Sequence, residues 1–488
     1  METNTARETR KTMTEAAINY RNKRKAHWDT IARRMDTWTS WGRYYHERLE
    51  QVYKFLIPPG QKVLEIGCGR GDLLAALKPE TGVGIDFSGE MISRAKKRHP
   101  ELRFIQADAH DTGLKERFDV IILSDTVNDL WDVQEVFNQV KELSTPRTRI
   151  IINTYSRVWE IPLFLAQLLG LANPKLPQNW LTVEDISGML DLAGLEVIRT
   201  WPEILWPLDT PLVADFLNRF VARLWPFYYL CLTNFIIARP KPATRPRGRK
   251  PVVSVIVPAR NEAGNIPKIF KRTPEMGGST ELIFVEGHSR DDTYSVIEKE
   301  MVKHPERRCK LFRQPGTGKG DAVRLGFEKA TGSILMILDA DMTVPPEDLP
   351  RFYEAIYSGK GEFVNGVRLV YPMEKQAMRY LNLLGNKFFS LAFTWLLGQP
   401  VKDTLCGTKV LLKSDYERIA KNRSYFGDFD PFGDFDLLFG AAKLNMKIAE
   451  VPIRYAERKY GTTNIDRWRH GWLLLKMTVY AMKKMKFV

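Results

Sequence analysis

Two carboxylates separated by a single residue, Asp339 and Asp341, follow an apolar run in the sequence SILMILDADMTVPPEDL. At the end of a strand, such a pair can hold a hard divalent cation, because Mg²⁺ and Mn²⁺ prefer oxygen ligands and keep coordination positions for phosphate oxygens. The cation would neutralise a diphosphate as it leaves. Lys319, between two glycines in GTGKGDAVRLGFEKATG, can add a further positive charge. An Asp-Ala-Asp sequence alone is usually a solvated turn, so this interpretation depends on the apolar run and the other motifs around it.

A glycine-rich turn in the N-terminal half indicates a nucleoside site. The predicted strand KVLEIG runs into Gly67, Gly69 and Gly71, and alternate glycines let a backbone turn tightly and approach a ligand. The next predicted strand, GVGID, ends at Asp86, whose carboxylate is well placed to accept hydrogen bonds from both ribose hydroxyls. A dinucleotide-dependent dehydrogenase would need G-x-G-x-x-G, and the last position of that fingerprint is Asp72 here. The spacing therefore suits a ligand without a pyrophosphate.

Both motifs lie in the same kind of sequence, in which short runs rich in Val and Ile alternate with longer amphipathic stretches. This alternation predicts α/β domains with parallel sheets and crossover helices. A chain of 488 residues exceeds the size of a single hydrophobic core, so two domains are expected. Residues 239–251, RPKPATRPRGRKP, are proline-rich, basic and nearly free of apolar side chains, which predicts a linker. The expected segments are an extension at 1–39, a first domain at 40–238, the linker at 239–251, a second domain at 252–465 and a basic amphipathic segment at 466–488.

The net charge of +15 and a pI near 9.4 favour anionic partners such as nucleotides, lipid phosphates and membrane surfaces. Nucleic acid is not expected, since aromatic residues do not interleave with the basic ones as stacking platforms require. The four cysteines are scattered without a C-x-x-C pair, which predicts reduced thiols in the cytoplasm rather than a disulfide framework or a zinc site. The N-terminus is polar and no run of 18 apolar residues exists, so neither a signal peptide nor a membrane-spanning helix is expected.

Four segments of the first half, VLEIGCGRGD, GIDFS, QADAHD and FDVIILSD, resemble motifs I to IV of class I S-adenosylmethionine-dependent methyltransferases, in order and at the usual spacings. The resemblance covers roughly residues 40–240 and implies a Rossmann-like fold. It implies that Glu65 and the three glycines of the turn line the methionine and ribose part of the cofactor, that Asp86 holds the ribose hydroxyls, and that Asp108, at the end of the predicted strand LRFIQADA, contacts the adenine amino group. The run PFYYLCLTNFIIARP (226–240) would be the closing strand of that fold, as a buried β-hairpin.

The methyl acceptor leaves no signature in the sequence. Several side chains could line its pocket, although a structural or surface role is the commoner one for each of them: Tyr44, Tyr45, His46, Asp125, Asn128 and Tyr155. Many methyltransferases act by aligning the nucleophile with the sulfonium, so a dedicated base need not exist.

Six segments of the second half, PARNE, VEGHSRDDT, GKGDAVRLGF, LDAD, DTLCGTK and ERKYGTT, resemble the motifs of family 2 inverting glycosyltransferases, most closely the polyprenyl-phosphate glycosyltransferases. The resemblance covers roughly residues 252–465 and implies the GT-A fold and a nucleotide-sugar donor. It implies base and ribose contacts from Pro258, Ala259, Glu262 and Glu286. It further implies that Asp339 and Asp341 bind metal and diphosphate, that Arg368 and Arg458 face phosphates, and that Asp403 and Asp436 lie near the acceptor side of the sugar.

The second half also departs from that family. The paired Asp-Asp-Gly-Ser of the family is Glu286-Gly287-His288-Ser289 here, and Thr343 stands where mannose synthases often carry Gln. The sequence therefore does not specify the donor sugar or the nucleotide base. A phosphate acceptor is already an anion and needs no base. A hydroxyl acceptor would need one, with Asp436 or Asp403 as the candidate.

Residues 381–400 are rich in large apolar side chains and interrupted by Lys387, and residues 467–488 interleave Trp, Leu, Met and Phe with Arg and Lys; both patterns predict helices lying in a membrane interface. Alternatively, they pack in the core or join the domains. The predicted function is a bifunctional transferase that methylates an unknown acceptor and glycosylates a polyprenyl phosphate, in the cytoplasm and peripherally on the cytoplasmic face of the membrane. Two alternatives are a glycan or natural-product tailoring enzyme with a soluble acceptor, and a protein in which one domain serves only as a binding module.

Overall fold

The computed structural model describes residues 14–34, 43–169, 175–242, 248–368, 370, 380–423, 435–456, 460 and 467–487. The chain divides into two compact units, Met1–Lys241 and Pro242–Val488. Each unit contains one seven-stranded sheet, which agrees with the predicted pair of α/β domains.

The first unit is built on a mixed sheet with the strand order β3-β2-β1-β4-β5-β7-β6. Its strands are β1 Lys62–Ile66, β2 Thr81–Asp86, β3 Arg103–Gln106, β4 Phe118–Ser124, β5 Ser144–Tyr155, β6 Leu195–Glu203 and β7 Thr233–Pro240. Neighbours among β1 to β5 are parallel, whereas β7 is antiparallel to both β5 and β6. The predicted hairpin is therefore formed by β6 and β7, and only the second half of 226–240 is strand, because Phe227–Leu230 forms a 3-10 turn.

Helices cover both faces of this sheet, which is why its central strands carry apolar side chains at successive positions. The helices are α1 Glu15–Arg34, α2 Arg43–Leu56, α3 Asp72–Ala76, α4 Gly89–Arg98, α5 Val133–Glu142, α6 Glu160–Leu168, α7 Val183–Leu192 and α8 Val213–Arg219. Leu64 and Ile66 of β1 pack on one face, and Val63 packs on the other, with the side chains of α2. Ser88 caps α4, and Asp132 caps α5, by accepting hydrogen bonds from first-turn N–H groups.

The second unit has a mixed sheet with the strand order β10-β9-β8-β11-β13-β12-β14. Its strands are β8 Val252–Ala259, β9 Ser279–Glu286, β10 Arg308–Arg313, β11 Ile334–Ile337, β12 Phe363–Val367, β13 Lys409–Leu412 and β14 Ile448–Pro452. Strands β8 to β11 are parallel, and β13 inserts antiparallel between β11 and β12. β14 closes the sheet parallel to β12.

The helices of the second unit are α9 Ile266–Arg272, α10 Thr293–Lys303, α11 Lys319–Lys329, α12 Leu349–Tyr357, α13 Tyr380–Leu397, α14 Lys413–Lys421, α15 Phe435–Lys443 and α16 Arg467–Ala481. The two segments predicted as amphipathic helices are therefore helical, as α13 and α16. Within the described ranges, no helix is long and apolar enough to cross a bilayer.

Among the parallel strands β1 to β5 and β8 to β11, the strand order reverses direction at one point in each sheet. In the first unit this point lies between β1 and β4, and in the second unit between β8 and β11. Open α/β sheets bind ligands in the crevice beyond the carboxyl ends of the strands at such a point. The topology therefore predicts a ligand site near the residues after Ile66 and Ser124 in the first unit, and after Ala259 and Ile337 in the second.

Candidate functional sites

The glycine turn follows β1 at the switch point of the first sheet. Gly67, Gly69 and Gly71 all have positive φ, at 76°, 51° and 76°. A Cβ on Gly67 would collide with the side chain of Thr126, and a Cβ on Gly71 would collide with the ring of Phe104. Other residues would strain both the dihedral and the packing, so the turn requires glycine here.

Two buried carboxylates flank this turn. Asp86, the last residue of β2, accepts hydrogen bonds from the Gly69 N–H through Oδ2 (3.0 Å) and from the Ser88 N–H through Oδ1 (2.8 Å). Burial raises the pKa of Asp86 to about 6 and that of Glu65 to about 8. The Oε2 atom of Glu65 is buried without a hydrogen-bond partner. A buried acceptor of this kind is costly unless a ligand donates to it, so these groups fit a ligand with hydroxyl or ammonium donors.

A cleft with about 590 Å³ of empty volume, open solvent included, lies beside the turn. Its walls come from the ends of β1, β2 and β4, from the segment after β3 and from α1: Ala17, Tyr20, Arg21, Arg24, Ile66, Gly67, Ile85, Asp86, Phe87, Ala107, Asp108, Ala109, His110, Thr126, Asp129, Leu130 and Trp131. The cleft brings together Gly67, Asp86 and Asp108 of the predicted cofactor site.

Helix α1 is the part of this cleft that the sequence did not reveal. Arg21 forms an ion pair with Asp108 (2.9 Å), Arg24 forms one with Asp129, and Trp28 donates from Nε1 to Asp129 (3.1 Å). The sequence predicted only an N-terminal extension over 1–39. The signal was faint, because α1 is rich in charged residues and has no clear apolar stripe.

The carboxylate of Asp108, which was predicted to contact the adenine amino group, already has partners within the chain. It lies beyond β3, which ends at Gln106, and its carboxylate also accepts from the ring Nδ1 (2.6 Å) and the N–H (2.9 Å) of His110. Burial alone would raise the pKa of Asp108, but His110 and Arg21 together hold it well below its usual range. A ligand amino group that contacts Asp108 would share this carboxylate with Arg21.

The six candidates for the methyl-acceptor pocket separate into different environments. Tyr45 donates to Asp125 (2.8 Å), and the rings of Tyr45 and Tyr155 lie 6.1 Å apart. Asn128 is buried and bonded to Thr154 and Asn179, which is a structural role. Tyr44 donates to Asp215 near the surface. His46 is exposed and contacts the Tyr45 ring edge-on.

In the second unit, Asp339 and Asp341 follow β11 at the switch point, as the sequence predicted. Lys319, the first residue of α11, forms an ion pair with Asp339 (2.8 Å). Asp341 Oδ1 accepts from the N–H (3.1 Å) and hydroxyl (2.9 Å) of Thr343. Burial alone would raise the pKa of Asp339, but Lys319, and more weakly Lys409 and Arg368, lower it.

Gly407 is a residue of this site that the motif contained but the prediction did not single out. A Cβ at this position would collide with the carboxylate of Asp339 and the ammonium of Lys319. Among the described residues, no group of three or more His, Cys, Asp or Glu side chains gathers to hold a metal ion.

Arg368 and Asp403, which were predicted to face a phosphate and the acceptor separately, contact each other. Arg368 donates from Nε to Oδ2 (2.7 Å) and from Nη2 to Oδ1 (2.8 Å) of Asp403, which is fully buried. Burial opposes ionisation, but Arg368 outweighs it and lowers the pKa of Asp403. Asp403 is thus the counter-ion of Arg368.

Asp436 lies in the first turn of α15, largely buried, with Arg423 at 3.3 Å and Arg324 at 3.9 Å from its Oδ2. Ala259 and Glu286 are opposite each other at the ends of β8 and β9, next to Pro258. Glu286 accepts from the Ser289 N–H (2.5 Å), and Glu262 from Asn265 (2.8 Å). Arg458 lies outside the described residues.

Comparisons with known proteins identify both halves. Residues 57–187 match the family described as Methyltransferase domain, and residues 254–419 match Glycosyl transferase family 2. The chain is 33% identical over 235 residues to a dolichol-phosphate mannosyltransferase of Pyrococcus furiosus, covering 46% of this chain and 64% of that protein. It is 30% identical over 222 residues to an undecaprenyl-phosphate 4-deoxy-4-formamido-L-arabinose transferase of Pseudomonas aeruginosa, covering 45% and 61%. The chain thus spans less than two thirds of the length of these two relatives.

Solved structures resemble each half in turn. A magnesium protoporphyrin IX methyltransferase from Synechocystis, with bound SAH, is 15% identical, covering 45% of this chain and 99% of that one, with a TM-score of 0.33. A glucosyl-3-phosphoglycerate synthase from Mycobacterium tuberculosis, in complex with Mn²⁺, UDP and its product, is 18% identical, covering 48% and 80%, with a TM-score of 0.35.

Proposed function

Because this enzyme carries a methyltransferase domain followed by a family 2 glycosyltransferase domain, we propose that it is a bifunctional transferase. The first domain transfers methyl from S-adenosylmethionine, and the second transfers a sugar from a nucleotide-sugar to a polyprenyl phosphate. The observation that carries the proposal is the opposite charge balance of the two sites.

The first site suits a cationic ligand. Glu65 and Asp86 are buried beside the glycine turn, and the hydrogen bonds to Asp86 come from neutral backbone N–H groups. A carboxylate that burial leaves without a cation is stabilised when a positively charged ligand enters. S-adenosylmethionine carries both a sulfonium and an ammonium, and supplies the methyl group when bound. Glu65, the three glycines and Asp86 would hold its methionine and ribose, with Asp108 near the adenine.

The second site suits an anionic ligand with a metal. Lys319 contacts Asp339, and Arg368 and Lys409 act electrostatically on the same carboxylate. Lys319 also stands at the N-terminus of an 11-residue helix, where backbone N–H groups favour phosphate. Mg²⁺ or Mn²⁺ held by Asp339 and Asp341 would neutralise the departing diphosphate, with Lys319 orienting its oxygens. Pro258, Ala259, Glu262 and Glu286 would contact the nucleoside.

The lipid acceptor is supported by the names of the two relatives, an undecaprenyl-phosphate and a dolichol-phosphate transferase. A phosphate acceptor needs no base, which agrees with the ion-paired state of Asp403. Exposed apolar side chains on α13 and α16, such as Leu391 and Trp472, would contact the membrane surface. The second candidate is a soluble acceptor, and for it Asp436 would be the base.

Metal dependence of the full chain tests the glycosyl half. EDTA should abolish transfer from the nucleotide-sugar, and Mg²⁺ or Mn²⁺ should restore it. Asp341→Asn should lower transfer by about 100-fold or more, since a metal ligand contributes several kcal/mol to transition-state stabilisation. Asp348→Asn, at a half-buried position that pairs with Arg351 outside the site, is the control. Full activity of Asp341→Asn in the presence of chelator would refute the assignment.

A further inference from the structure

A fully buried lysine lies behind the candidate metal site of the second unit. Lys409 is the first residue of β13, and its side chain has no exposure to solvent. The two residues after it, Val410 and Leu411, are apolar and equally buried, so the strand itself would accept an apolar side chain at this position. A lysine is almost never fully buried unless other groups compensate its charge, because burying an ammonium is costly. Lys409 therefore needs an explanation beyond the packing of the strand.

The ammonium of Lys409 binds the segment that leads into β13, residues 403–408, which we name the 403–408 segment. Its Nζ donates to the carbonyl oxygen of Cys406 (2.5 Å). Asn365 of β12, which is opposite Lys409 in the register of the two strands and is also fully buried, donates from Nδ2 to the carbonyl oxygen of Asp403 (2.7 Å). Two buried side chains thus bind two carbonyls of one segment, and buried carbonyls need such partners.

The same segment packs against the candidate metal site. The antiparallel register of β11 and β13, continued past the paired residues, places Asp339 opposite Gly407. A Cβ on Gly407 would collide with the carboxylate of Asp339 and with the ammonium of Lys319. The segment therefore lies against both charged groups without room for one more carbon atom, and a shift of the segment would displace them.

Lys409 and Lys319 act on the same carboxylate from different environments. The side chain of Lys319 is 27% exposed, whereas that of Lys409 is fully buried and does not face a bound donor. Burial alone would raise the pKa of Asp339, and Lys319, then more weakly Lys409, lower it. Electrostatic interactions are stronger in the protein interior than in water, so a buried ammonium can compensate this carboxylate without contacting it. The role of Lys409 is thus indirect, through the residues that would hold the metal and the diphosphate.

We propose that Lys409 is a positioning residue for glycosyl transfer: through the Cys406 carbonyl it fixes the 403–408 segment, and the segment holds Asp339 and Lys319 where the metal and the diphosphate bind. This inference rests on the proposed glycosyl transfer. Groups that support a metal ligand matter nearly as much as the ligand itself, because they fix its orientation. A purely structural lysine would instead stabilise the fold and leave metal affinity unchanged in the folded protein.

The test measures Mn²⁺ binding to the full chain by electron paramagnetic resonance, with UDP or GDP present to supply the diphosphate. Lys409→Met keeps the length of the side chain and removes its charge and its hydrogen-bond donors. The dissociation constant of Mn²⁺ should rise by about 10–100-fold, the usual cost of losing a group that orients a metal ligand. Hydrolysis of UDP-glucose or GDP-mannose, whichever the unaltered chain hydrolyses, should slow in the same variant.

Lys413→Met is the matched control. The Nζ of Lys413 also donates to a carbonyl, that of Ala330 (2.8 Å), and Ala330 precedes β11 at the end of that strand away from Asp339. The control removes the same kind of hydrogen bond and should leave the Mn²⁺ dissociation constant unchanged. Circular dichroism and urea unfolding establish that each variant is folded. If Lys409→Met does not fold, Lys409→Gln replaces it with the same expected rise, because the amide nitrogen of Gln stops one bond short of the Nζ position.

A double-mutant cycle tests whether Lys409 acts through the 403–408 segment. Gly407→Ala disturbs this segment at its contact with Asp339 and Lys319, so it should also weaken Mn²⁺ binding. Because both changes act on one segment, the double variant should bind Mn²⁺ about as weakly as the weaker of the two single variants. Losses of affinity that multiply, or an unchanged dissociation constant in the folded Lys409 variant, would overturn the inference. Failure of the unaltered chain to bind Mn²⁺ with either nucleotide would instead refute the proposed metal-dependent transfer.

Discussion

Both sites lie at the carboxyl ends of the parallel strands of a sheet, but the chain surrounds their carboxylates in opposite ways. In the first unit, burial raises the pKa of Glu65 and Asp86, and backbone N–H groups donate the hydrogen bonds to Asp86. In the second unit, Asp339 and Asp403 are paired with Lys319 and Arg368, which lower their pKa values. The charge that the chain supplies at a site thus decides the charge of the ligand that the site can stabilise.

The comparison also holds within the first cleft. At the end formed by α1, Asp108 and Asp129 are compensated by Arg21 and Arg24. At the end formed by the glycine turn, Glu65 and Asp86 are not compensated by an ion pair among the described residues. This difference between the two ends suits a ligand with a neutral nucleobase near α1 and a positive charge near the glycine turn.

The largest expected effect is on stability. Asp403→Ala leaves the guanidinium of Arg368 buried without its carboxylate, so the free energy of unfolding of the second unit should fall by about 3–5 kcal/mol. Urea unfolding of the full chain measures it. The double variant Asp403→Leu with Arg368→Met should recover much of the loss, since it removes both charges. A loss below about 1 kcal/mol would show that this pair behaves like a surface ion pair.

A smaller effect is expected at the uncompensated end of the first site. Asp86→Ala should weaken S-adenosylmethionine binding by about 1.5–3 kcal/mol, the scale of lost hydrogen bonds to a charged group. Calorimetry on the full chain measures the affinity, and nucleotide-sugar binding at the other site serves as the internal control. Unchanged affinity in a folded variant would contradict the assignment of Asp86 to the ribose.

The smallest effect is expected at the compensated end. Arg21→Ala removes a partly exposed ion pair, so unfolding should change by no more than about 1 kcal/mol. If adenine shares Asp108 with Arg21, the variant should bind S-adenosylmethionine tighter, by up to about fivefold on the same energy scale. Lys97→Ala, an exposed cation on α4, is the control. Weaker binding would indicate that Arg21 contacts the ligand rather than competing with it.

Local sequence was sufficient to predict the strands that precede the glycine turn and the Asp339–Asp341 pair. Apolar runs of strand length predicted β1, β4, β8 and β11, and the residues that follow them are the ones at the switch points. Periodicity and turn chemistry act over a few residues, which is why the glycine turn and Asp339–Asp341 could be read directly. The same local rules predicted helices over 381–400 and 467–488.

The pairings between distant residues were decided only by the tertiary structure. Arg368 and Asp403 are 35 positions apart, Arg21 and Asp108 are 87 apart, and Tyr45 and Asp125 are 80 apart. Nothing in the spacing of these residues foretells their contact, because each pair is brought together by different helices and strands packing on one sheet. The sequence by itself determined which residues can do chemistry at each sheet edge. The packing of α1, α2 and the loop before β13 decided which of those carboxylates are neutralised by the chain and which are left for a ligand.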